Sequence, residues 1–361
     1  FVMAAIEVLA GRGVEPTIVS RQWPAASNLA VIRCDPFHIG ALWRDWGFAR
    51  AVCRRLAHES FDIVQSHERI ACCDVYRAGD GVHREWLQAR RRTLGWLGRL
   101  RVDVNPYHRY LLAAERRLFE SPRLRAVICN SQMVADEIRA TFNIPADRLH
   151  VILSGVDTER FHPRLRSERE QTRARHGVPS DAVLFLHVGS GFERKGVGAT
   201  IAALARLPAS AHLLVVGRDK HAARFAALAR SLGIGERVHF AGGLERVDPC
   251  YGAADAFVLP TLYDPFPNAI LEAMAAGLPV VTSTKSGGAE LIVAGESGWV
   301  CDALDIEAIA SAMRRLLEPA ARERMSRAAR ERVAPLTFER MSAAYVALYE
   351  SLLADRRTVP S

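Results

Sequence analysis

Val183-Leu184-Phe185-Leu186-His187-Val188 runs directly into Gly189-Ser190-Gly191-Phe192-Glu193-Arg194-Lys195-Gly196. The first six residues are mostly apolar, which is typical of a buried strand, and a helical pattern over 199–207 follows the glycines. A strand, a glycine turn and a helix in this order form an anion-binding layout, because glycines let the backbone approach a phosphate and a helix start supplies partial positive charge. Arg194 and Lys195 would add two full charges. The stretch therefore predicts a Rossmann-like unit with a phosphate site at this turn.

The glycine turn differs from a dinucleotide-binding fingerprint, G-x-G-x-x-G, at the third glycine, where this chain has Arg194. This difference favours a diphosphate leaving group, since a guanidinium and an ammonium can neutralise the charge that develops as the bond to the leaving group breaks. The alternative is that Arg194 and Lys195 are ordinary solvated residues at the start of a helix.

A second cluster is Asp264-Pro265-Phe266-Pro267-Asn268-Ala269-Ile270-Leu271-Glu272, just beyond the apolar run 256–259. Pro267 suits a first helical position and Gly277 a C-terminal cap. The pattern therefore predicts a helix over 267–276 that begins at the carboxyl end of a strand.

This helix would place Asp264 in the loop before it and Glu272 about a turn and a half inside it. Each carboxylate can accept two hydroxyl hydrogen bonds, which suits the diol of a ribose or a hexose, and the N–H groups of Phe266 and Asn268 would be free to bind hydroxyls. The alternative makes Asp264 a turn residue and Glu272 a surface carboxylate. The glycine turn favours one shared crevice. Because the chain contains no Asp-x-Asp sequence, the cations of that turn are expected in place of a divalent metal.

Apolar runs alternate with helical patterns along nearly the whole chain, which predicts an α/β fold with parallel sheets. The strands are predicted at Thr17–Ser20, Ala30–Arg33, Phe61–Gln65, Val75–Ala78, Ala126–Cys129, His150–Leu153, Val183–Val188, Leu213–Val216, Val238–Phe240, Ala256–Leu259 and Pro279–Thr282. Two similar units in series are expected, with a boundary near residue 165 in a stretch, 162–176, expected to form a linker or a solvated helix. Residues 1–10 have a helical pattern where a Rossmann unit normally begins with a strand, so the first strand is expected upstream of Phe1.

The composition of the chain indicates the cellular compartment in which the protein is expected. No stretch approaches the roughly 18 to 20 apolar residues that cross a bilayer, and no secretory signal opens the chain, so a cytoplasmic protein is expected. The seven cysteines are scattered without a C-x-x-C pair and are expected to be reduced thiols.

The net charge of +8 is unevenly distributed along the chain: residues 84–125 hold eleven arginines against four acidic residues, with aromatic residues between them. This segment indicates an anionic membrane surface as partner, with a solvated helical face as the alternative.

Together these motifs resemble the retaining family-4 glycosyltransferases of the GT-B fold. The E-x7-E signature of that family corresponds to Asp264 and Glu272, with its first glutamate replaced by aspartate, and Ser154–Phe161 is similar to its N-G-V-D segment. Three segments look like the lipopolysaccharide core glucosyltransferase I group of the family: His187–Val197, Val215–Lys220 and Asp74–Asp80.

The resemblance implies two Rossmann-like domains that face a central cleft. Residues 1–165 would form the N-terminal acceptor-binding domain and residues 166–335 the C-terminal nucleotide-sugar-binding domain. Residues 336–361 would form a helix that crosses back to the N-terminal domain.

The resemblance also implies residue roles. Arg194 and Lys195 would hold the diphosphate of a UDP-activated donor, Glu272 its ribose, and Asp264 its sugar. The donor-binding set is Gly189, Ser190, Arg194, Lys195, Gly217, Phe266, Asn268, Ala269 and Glu272, and the catalytic set is His67, Asp80 and Asp264. His67 and Asp80 would orient the acceptor hydroxyl, although His67 could also be a histidine satisfied at a strand end.

The implied activity is retaining transfer of a hexose, with glucose the first candidate, from a UDP-sugar to the inner core of lipopolysaccharide. It would take place at the inner face of the cytoplasmic membrane, without metal, cofactor or nucleic acid. Asp264 is one methylene shorter than the family's glutamate, so the choice of sugar could differ. Two alternatives stay open: a UDP-sugar epimerase or phosphorylase of the same fold, and an inactive membrane-associated binding protein.

Overall fold

The computed structural model describes residues 6, 10–11, 13–23 and 29–358, except for the side chains of 356–358. The described chain divides into two compact units. The first comprises the chain up to Asn130, Val134–Leu153 and the chain from Phe338, and the second comprises Ser131–Met133 and Ser154–Thr337. The helical pattern predicted over 1–10 lies largely outside the described residues, and the strand expected upstream of Phe1 stays a prediction.

The second unit is built on one six-stranded sheet. Its strands are β7 (Val183–Val188), β8 (Ala211–Val216), β9 (Val238–Gly242), β10 (Ala256–Leu259), β11 (Val280–Ser283) and β12 (Gly298–Cys301). All pairings are parallel, and the order is β9-β8-β7-β10-β11-β12. This is the doubly wound order of a dinucleotide-binding fold, in which the chain reverses its winding direction between β7 and β10. The predicted α/β class is confirmed.

Eight helices accompany this sheet in the described part of the unit: α6 (Arg169–Arg175), α7 (Phe192–Lys195), α8 (Val197–Leu204), α9 (Ala222–Ser231), α10 (Asp248–Ala253), α11 (Asn268–Ala275), α12 (Ile306–Arg315) and α13 (Pro319–Val333). Short 3-10 helices lie at Pro163–Glu168, Gly235–Arg237 and Gly287–Leu291. The core on one face of the sheet joins Phe185 and Val258 to Ile201 of α8 and Ile309 of α12, all fully buried. The sheet residues are apolar on both faces because helices cover both.

The first unit has two separate parallel sheets. Their strands are β1 (Thr17–Ser20) with β2 (Ala30–Arg33), and β3 (Gln65–Ser66), β4 (Val75–Arg77), β5 (Ala126–Cys129) and β6 (Leu149–Val151) in the order β3-β4-β5-β6. Its helices are α1 (Gly40–Leu56), α2 (His83–Arg91), α3 (Trp96–Val104), α4 (Pro106–Phe119), α5 (Gln132–Phe142) and α14 (Phe338–Thr358), with a 3-10 helix at Ala146–Arg148. Met341, Tyr345 and Leu348 of α14 pack into the core of the larger sheet against Val75 and Ile128.

The stretch 162–176 lies within the second unit rather than forming a linker, and its helix is solvated on one side only, which corrects the expectation for it. It folds into a 3-10 helix and α6, and Arg173 of α6 is only 2% exposed. The Arg173 guanidinium donates to Asp255 Oδ2 at 2.8 Å and to the carbonyl oxygens of four further residues. An arginine with its donors satisfied in this way can be buried, whereas Arg164, Arg166 and Arg175 of the same stretch are exposed.

Two strand predictions needed correction. The strand predicted over 61–65 reduces to Gln65–Ser66, because the Val64 N–H donates to the Asp74 carboxylate at 2.8 Å. The short β12 was not predicted, since its four residues include a glycine and are mostly only half-buried.

The expectation of seven reduced thiols was wrong for two of them. Cys53 of α1 and Cys72, which are 19 residues apart in the chain, form a disulfide with a Cα–Cα distance of 5.7 Å. The other five cysteines are free thiols. The pairing depends on how α1 folds back, which residue spacing alone does not reveal.

Candidate functional site

The predicted donor residues of the second unit lie at the reversal point of its sheet. The glycine turn 189–196 follows β7, and the loop 260–264 follows β10, the strand that pairs with β7. Ligands of open α/β sheets bind in the crevice outside the carboxyl ends of the strands at such a point. The sheet order therefore brings the two motifs, which are far apart in sequence, to one edge.

The glycine turn is held against the neighbouring strand end by backbone contact. Gly189 N–H donates to Val216 O at 2.9 Å, and Arg218 N–H donates to Ser190 Oγ at 3.1 Å. A Cβ atom on Gly217 would lie 2.2 Å from Gly189 O, and Gly217 has a φ of +148°. Glycine is thus needed at 217 for the two turns to approach each other.

The helix after the turn differs from the expected one. It is split at Gly196 into the four-residue α7 and the longer α8, because Gly196 has a φ of +79° and packs against Pro260 O. The N–H of Phe192, at the start of α7, donates to Asp219 Oδ2 at 2.7 Å. That N–H is therefore already occupied, and the full positive charges beside the turn are those of the Arg194 and Lys195 side chains.

Arg194 and Lys195 both contact Asp264. Arg194 Nη1 lies 3.0 Å from Asp264 Oδ2, and Lys195 Nζ lies 2.5 Å from the same oxygen. The side chains of Lys195 and Asp264 are largely buried, and that of Arg194 is 38% exposed. The alternative that the two cations are merely solvated is wrong, because they form a partly buried triad with one net positive charge.

Asp264 is fixed through its backbone as well. Its N–H donates to Lys285 O and its carbonyl accepts from Gly287 N–H, both at 2.9 Å, and it forms a parallel bridge with Ser286. A Cβ atom on Gly287 would lie 1.8 Å from Pro265 O. Sequence reasoning missed this supporting segment, 285–290, although two adjacent glycines four residues after a buried strand were a usable signal.

The start of α11 offers free backbone donors. The helix begins at Asn268, one residue later than predicted, and Pro267 is its N-cap residue. Within the described chain, the N–H groups of Phe266, Asn268 and Ala269 donate no hydrogen bond. Unpaired N–H groups at a helix start can bind hydroxyl or phosphate oxygens.

Glu272 is the fifth residue of α11, and it is half-buried. Its Oε2 accepts a hydrogen bond from the Tyr251 hydroxyl at 2.6 Å. Burial raises the pKa of the Glu272 carboxyl, while the Tyr251 hydrogen bond and the Arg160 charge act to lower it. The carboxylate is thus held by a single phenol in a partly desolvated position.

The two other predicted catalytic residues, His67 and Asp80, belong to the first unit. They follow β3 and β4, at one end of its four-stranded sheet. Gln65 Nε2 lies 3.1 Å from His67 Nε2, and Arg69 Nη1 lies 3.5 Å from Asp80 Oδ2. Although the His67 ring reaches solvent, desolvation followed by the Arg77 charge lowers its pKa, and Asp80 opposes this. His67 is therefore neutral near pH 7, and since the Gln65 amide nitrogen can only donate, His67 Nε2 accepts from it and Nδ1 carries the proton.

Neither a metal cluster nor a membrane span stands out in the described residues. No group of three or more His, Cys, Asp and Glu side chains among them could hold a metal ion. No described helix is long and apolar enough to cross a bilayer.

The comparisons with known proteins agree with this geometry. Residues 168–332 match the family described as glycosyl transferases group 1, and residues 1–160 match glycosyltransferase family 4. The chain is 32% identical over 255 residues to the lipopolysaccharide glucosyltransferase WaaG of Escherichia coli (strain K12), across 69% of this chain and 66% of that protein. It is 35% identical over 145 residues to the lipopolysaccharide core biosynthesis glycosyltransferase LpsE of Rhizobium meliloti (strain 1021), across 40% of this chain and 42% of that protein. The chain thus spans no more than 66% of the length of either relative.

A solved structure is also similar over nearly the whole chain. The crystal structure of WaaG, described as a glycosyltransferase involved in lipopolysaccharide biosynthesis, matches with a TM-score of 0.82 at 26% identity. The match covers 96% of this chain and 94% of that one. The predicted fold, GT-B with two Rossmann-like domains, is confirmed, and the chain belongs to the family-4 glycosyltransferases.

Proposed function

We propose that this protein transfers a hexose, with glucose the first candidate, from a UDP-sugar to the inner core of lipopolysaccharide, with retention of configuration and without a metal. The observation that carries the donor chemistry is the contact of Asp264 with both Arg194 and Lys195. A carboxylate suited to sugar hydroxyls and two cations suited to phosphates meet at one point, which is where the bond between phosphate and sugar would lie.

In the proposed reaction the acceptor hydroxyl attacks the anomeric carbon on the face from which UDP departs. The C–O bond to the phosphate breaks, the new glycosidic C–O bond forms, and the leaving phosphate takes the proton of the hydroxyl. Arg194 and Lys195 stabilise the charge that grows on the diphosphate. The free N–H groups of Phe266, Asn268 and Ala269 would bind the sugar together with Asp264, and Glu272 would bind the ribose.

The acceptor side is proposed for the first unit. His67 is neutral near pH 7, and because its Nε2 accepts from Gln65, its Nδ1 N–H can donate a hydrogen bond that orients the acceptor oxygen, while Asp80 can accept one from a neighbouring hydroxyl. The lipopolysaccharide acceptor is supported by the similarity to WaaG and LpsE, whose names place them in lipopolysaccharide synthesis.

Turnover of UDP-glucose with extracted core oligosaccharide tests the proposal. Lys195→Ala and Glu272→Ala are each expected to reduce UDP release by about 10²-fold or more, because each removes a contact to the donor. Arg206→Ala is the matched control, since it removes an exposed arginine that pairs with Glu307 in the same unit. Near-normal turnover in both site variants would refute the site assignment.

Two further arms separate the alternatives. EDTA is expected to leave turnover unchanged, and strong inhibition would contradict the metal-free reaction. Incubation with UDP-sugar but no acceptor should yield little product, whereas epimerisation in that arm would indicate the epimerase alternative. Donor binding without turnover on any core acceptor would indicate a binding protein.

We also propose a peripheral position on the inner face of the cytoplasmic membrane. The arginine-rich segment folds into α2, α3 and α4, and it is not all surface: Phe119 is buried, and buried Glu115 pairs with Arg69 at 2.9 Å. On α3 the apolar residues Trp96, Leu97, Leu100 and Val104 are exposed, Trp96 by 74%. Exposed apolar residues among arginines suit an anionic lipid surface.

Sedimentation with vesicles tests this position. The protein is expected to sediment more with anionic than with neutral vesicles, and the double variant Trp96→Ser, Leu100→Ser should lower sedimentation with the anionic ones. Leu232→Ser, at a comparably exposed leucine of the second unit, is the control. Equal sedimentation of the unmodified protein with both lipid types would remove the electrostatic argument.

A further inference from the structure

Tyr251 is buried directly against one of the proposed donor-binding carboxylates. It is the fourth residue of α10 and is 1% exposed, and its hydroxyl donates to Glu272 Oε2 at 2.6 Å. Within the described chain, no second hydrogen bond reaches the Glu272 carboxylate. The phenol is therefore the contact that sets the orientation of the carboxylate.

The tyrosine ring is itself locked by aromatic packing. It packs edge-on against Phe161, with ring centroids 5.4 Å apart, and stacks on Phe257 at 6.1 Å. A ring held between two aromatic neighbours cannot swing its hydroxyl away without disturbing the core. The donor atom for Glu272 thus stays in place before any ligand arrives.

The segment 154–161 supports the same contact. Asp157 Oδ1 accepts the N–H groups of Glu159 and Arg160 at 3.1 and 2.8 Å, and Arg160 pairs with Asp248 of α10 at 3.0 Å. This turn places Phe161 against the Tyr251 ring. It also brings the Arg160 guanidinium close enough to lower the pKa of the Glu272 carboxyl. The segment therefore does more than connect the two units along the chain.

We propose that Tyr251 is a positioning residue for nucleotide recognition: it occupies Oε2 of Glu272 and leaves Oε1 to accept the vicinal hydroxyls of a ribose. The inference rests on the proposed function, because it requires a ribonucleotide donor. A carboxylate that is pre-oriented loses less freedom when a diol binds, so removing the phenol weakens binding without touching the reacting bond.

The hydrogen bond from the phenol also favours the ionised form of Glu272. A hydrogen bond to the charged form lowers the pKa of a carboxyl, and burial raises it. In Tyr251→Phe the lowering effect of this hydrogen bond is lost, so the pKa of Glu272 is expected to be higher than in the unmodified protein. The ionised carboxylate is the form that accepts hydroxyls. Binding is therefore lost as pH falls through this pKa, and the acid limb of the binding profile should move to higher pH in the variant.

The binding experiment compares UDP with 2′-deoxy-UDP by calorimetry as a function of pH. We expect Tyr251→Phe to weaken UDP binding by about five- to twenty-fold, consistent with loss of one hydrogen bond to a charged group. Binding of 2′-deoxy-UDP should change much less, and kcat should stay close to that of the unmodified protein. The control is Tyr107→Phe, which removes a phenol–carboxylate hydrogen bond of 2.7 Å to Asp45 in the other unit. It should bind both nucleotides like the unmodified protein.

The outcomes separate the two proposals. If Glu272→Ala keeps the full preference for UDP over 2′-deoxy-UDP, the ribose role of Glu272 in the proposed function fails. Glu272→Ala could instead lose the preference for UDP over 2′-deoxy-UDP while Tyr251→Phe keeps it. If Tyr251→Phe also loses UDP binding at the same low pH as the unmodified protein, only the positioning role of Tyr251 is overturned. A ¹³C NMR titration of the Glu272 carboxyl in ligand-free protein needs no nucleotide binding. Equal pKa values in the unmodified protein and in Tyr251→Phe would overturn the positioning role whatever the donor is.

Discussion

Asp264 has two opposing effects on the proposed donor site. It neutralises one of the two positive charges of Arg194 and Lys195, and in the proposed reaction it binds the sugar. A phosphate that enters the site must compete with this carboxylate for both cations. The contact would therefore weaken binding of the nucleotide alone and favour a ligand that also offers hydroxyls to the carboxylate.

The variant Asp264→Asn distinguishes the effect of Asp264 on phosphate binding from its effect on the sugar. Loss of the negative charge is expected to tighten UDP binding by about three- to tenfold, since the two cations then face the diphosphate without a competing charge. Turnover should fall by about 10²-fold, because an amide is a weaker acceptor for sugar hydroxyls. Calorimetry and UDP release measure the two effects. Weaker UDP binding together with normal turnover would contradict both assignments.

At the residue scale, the sequence located the candidate donor site but not its contacts. Arg194, Lys195 and Asp264 were identified from motifs, whereas their mutual salt bridges depend on the order of the strands that carry them. The hydrogen bond from Tyr251 to Glu272 was also out of reach, since a tyrosine 21 residues before a glutamate carries no local signal. Here the residue types indicated the kind of chemistry, whereas the packing of the folded chain determines which side chains contact each other.

At the scale of single elements, α6 is attached to the sheet by charged side chains. Asp255, at the amino end of β10, accepts from Arg173, from Arg169 and from Leu184 N–H, each at 2.8 Å. One carboxylate thereby joins a helix to the two central strands. A buried ion pair of this kind is costly to break, because the remaining charge is left without a partner.

Asp255→Ala is therefore expected to destabilise the second unit by about 3–5 kcal/mol. Glu307→Ala removes an exposed carboxylate that pairs with Arg206, and it should cost less than about 1 kcal/mol. Urea unfolding followed by circular dichroism measures both variants. A loss below about 1 kcal/mol in Asp255→Ala would mean that the buried network contributes little.

Elements with a strong local signal were predicted well, and those fixed by distant contacts were not. Continuous apolar runs indicated β7, β10 and β5 with their observed bounds. The helix after the glycine turn was predicted as one piece, but Gly196 divides it because the backbone there must pass close to Pro260. The burial of Arg173 on α6 was missed, because the composition of that helix is charged and Asp255, the partner of Arg173, lies some 80 residues further along the chain.

At the scale of the whole molecule, the described structure holds one covalent cross-link between segments of the first unit. The disulfide joins Cys53 to Cys72 and leaves five free cysteines. Titration of the denatured protein with a thiol reagent is expected to find five thiols without reductant and seven after reduction. Seven thiols in protein prepared without reductant would show that the pair is reduced, as is usual for cysteines in the cytosol.

The order of the strands in the second unit has a consequence for how it folds. The proposed donor site is contributed by the segments that follow β7, β8, β10 and β11, so its parts come from more than 90 residues of chain. No short fragment can contain it, and the contacts that create it close only when distant strands have paired. Nucleotide binding then becomes a reporter of folding. A ligand that recognises only the assembled state shifts the folding equilibrium toward it, by about 2.7 kcal/mol at one hundred times its Kd. Added UDP should therefore slow proteolysis throughout the second unit, including at α12 and α13, which carry none of the proposed donor-binding residues.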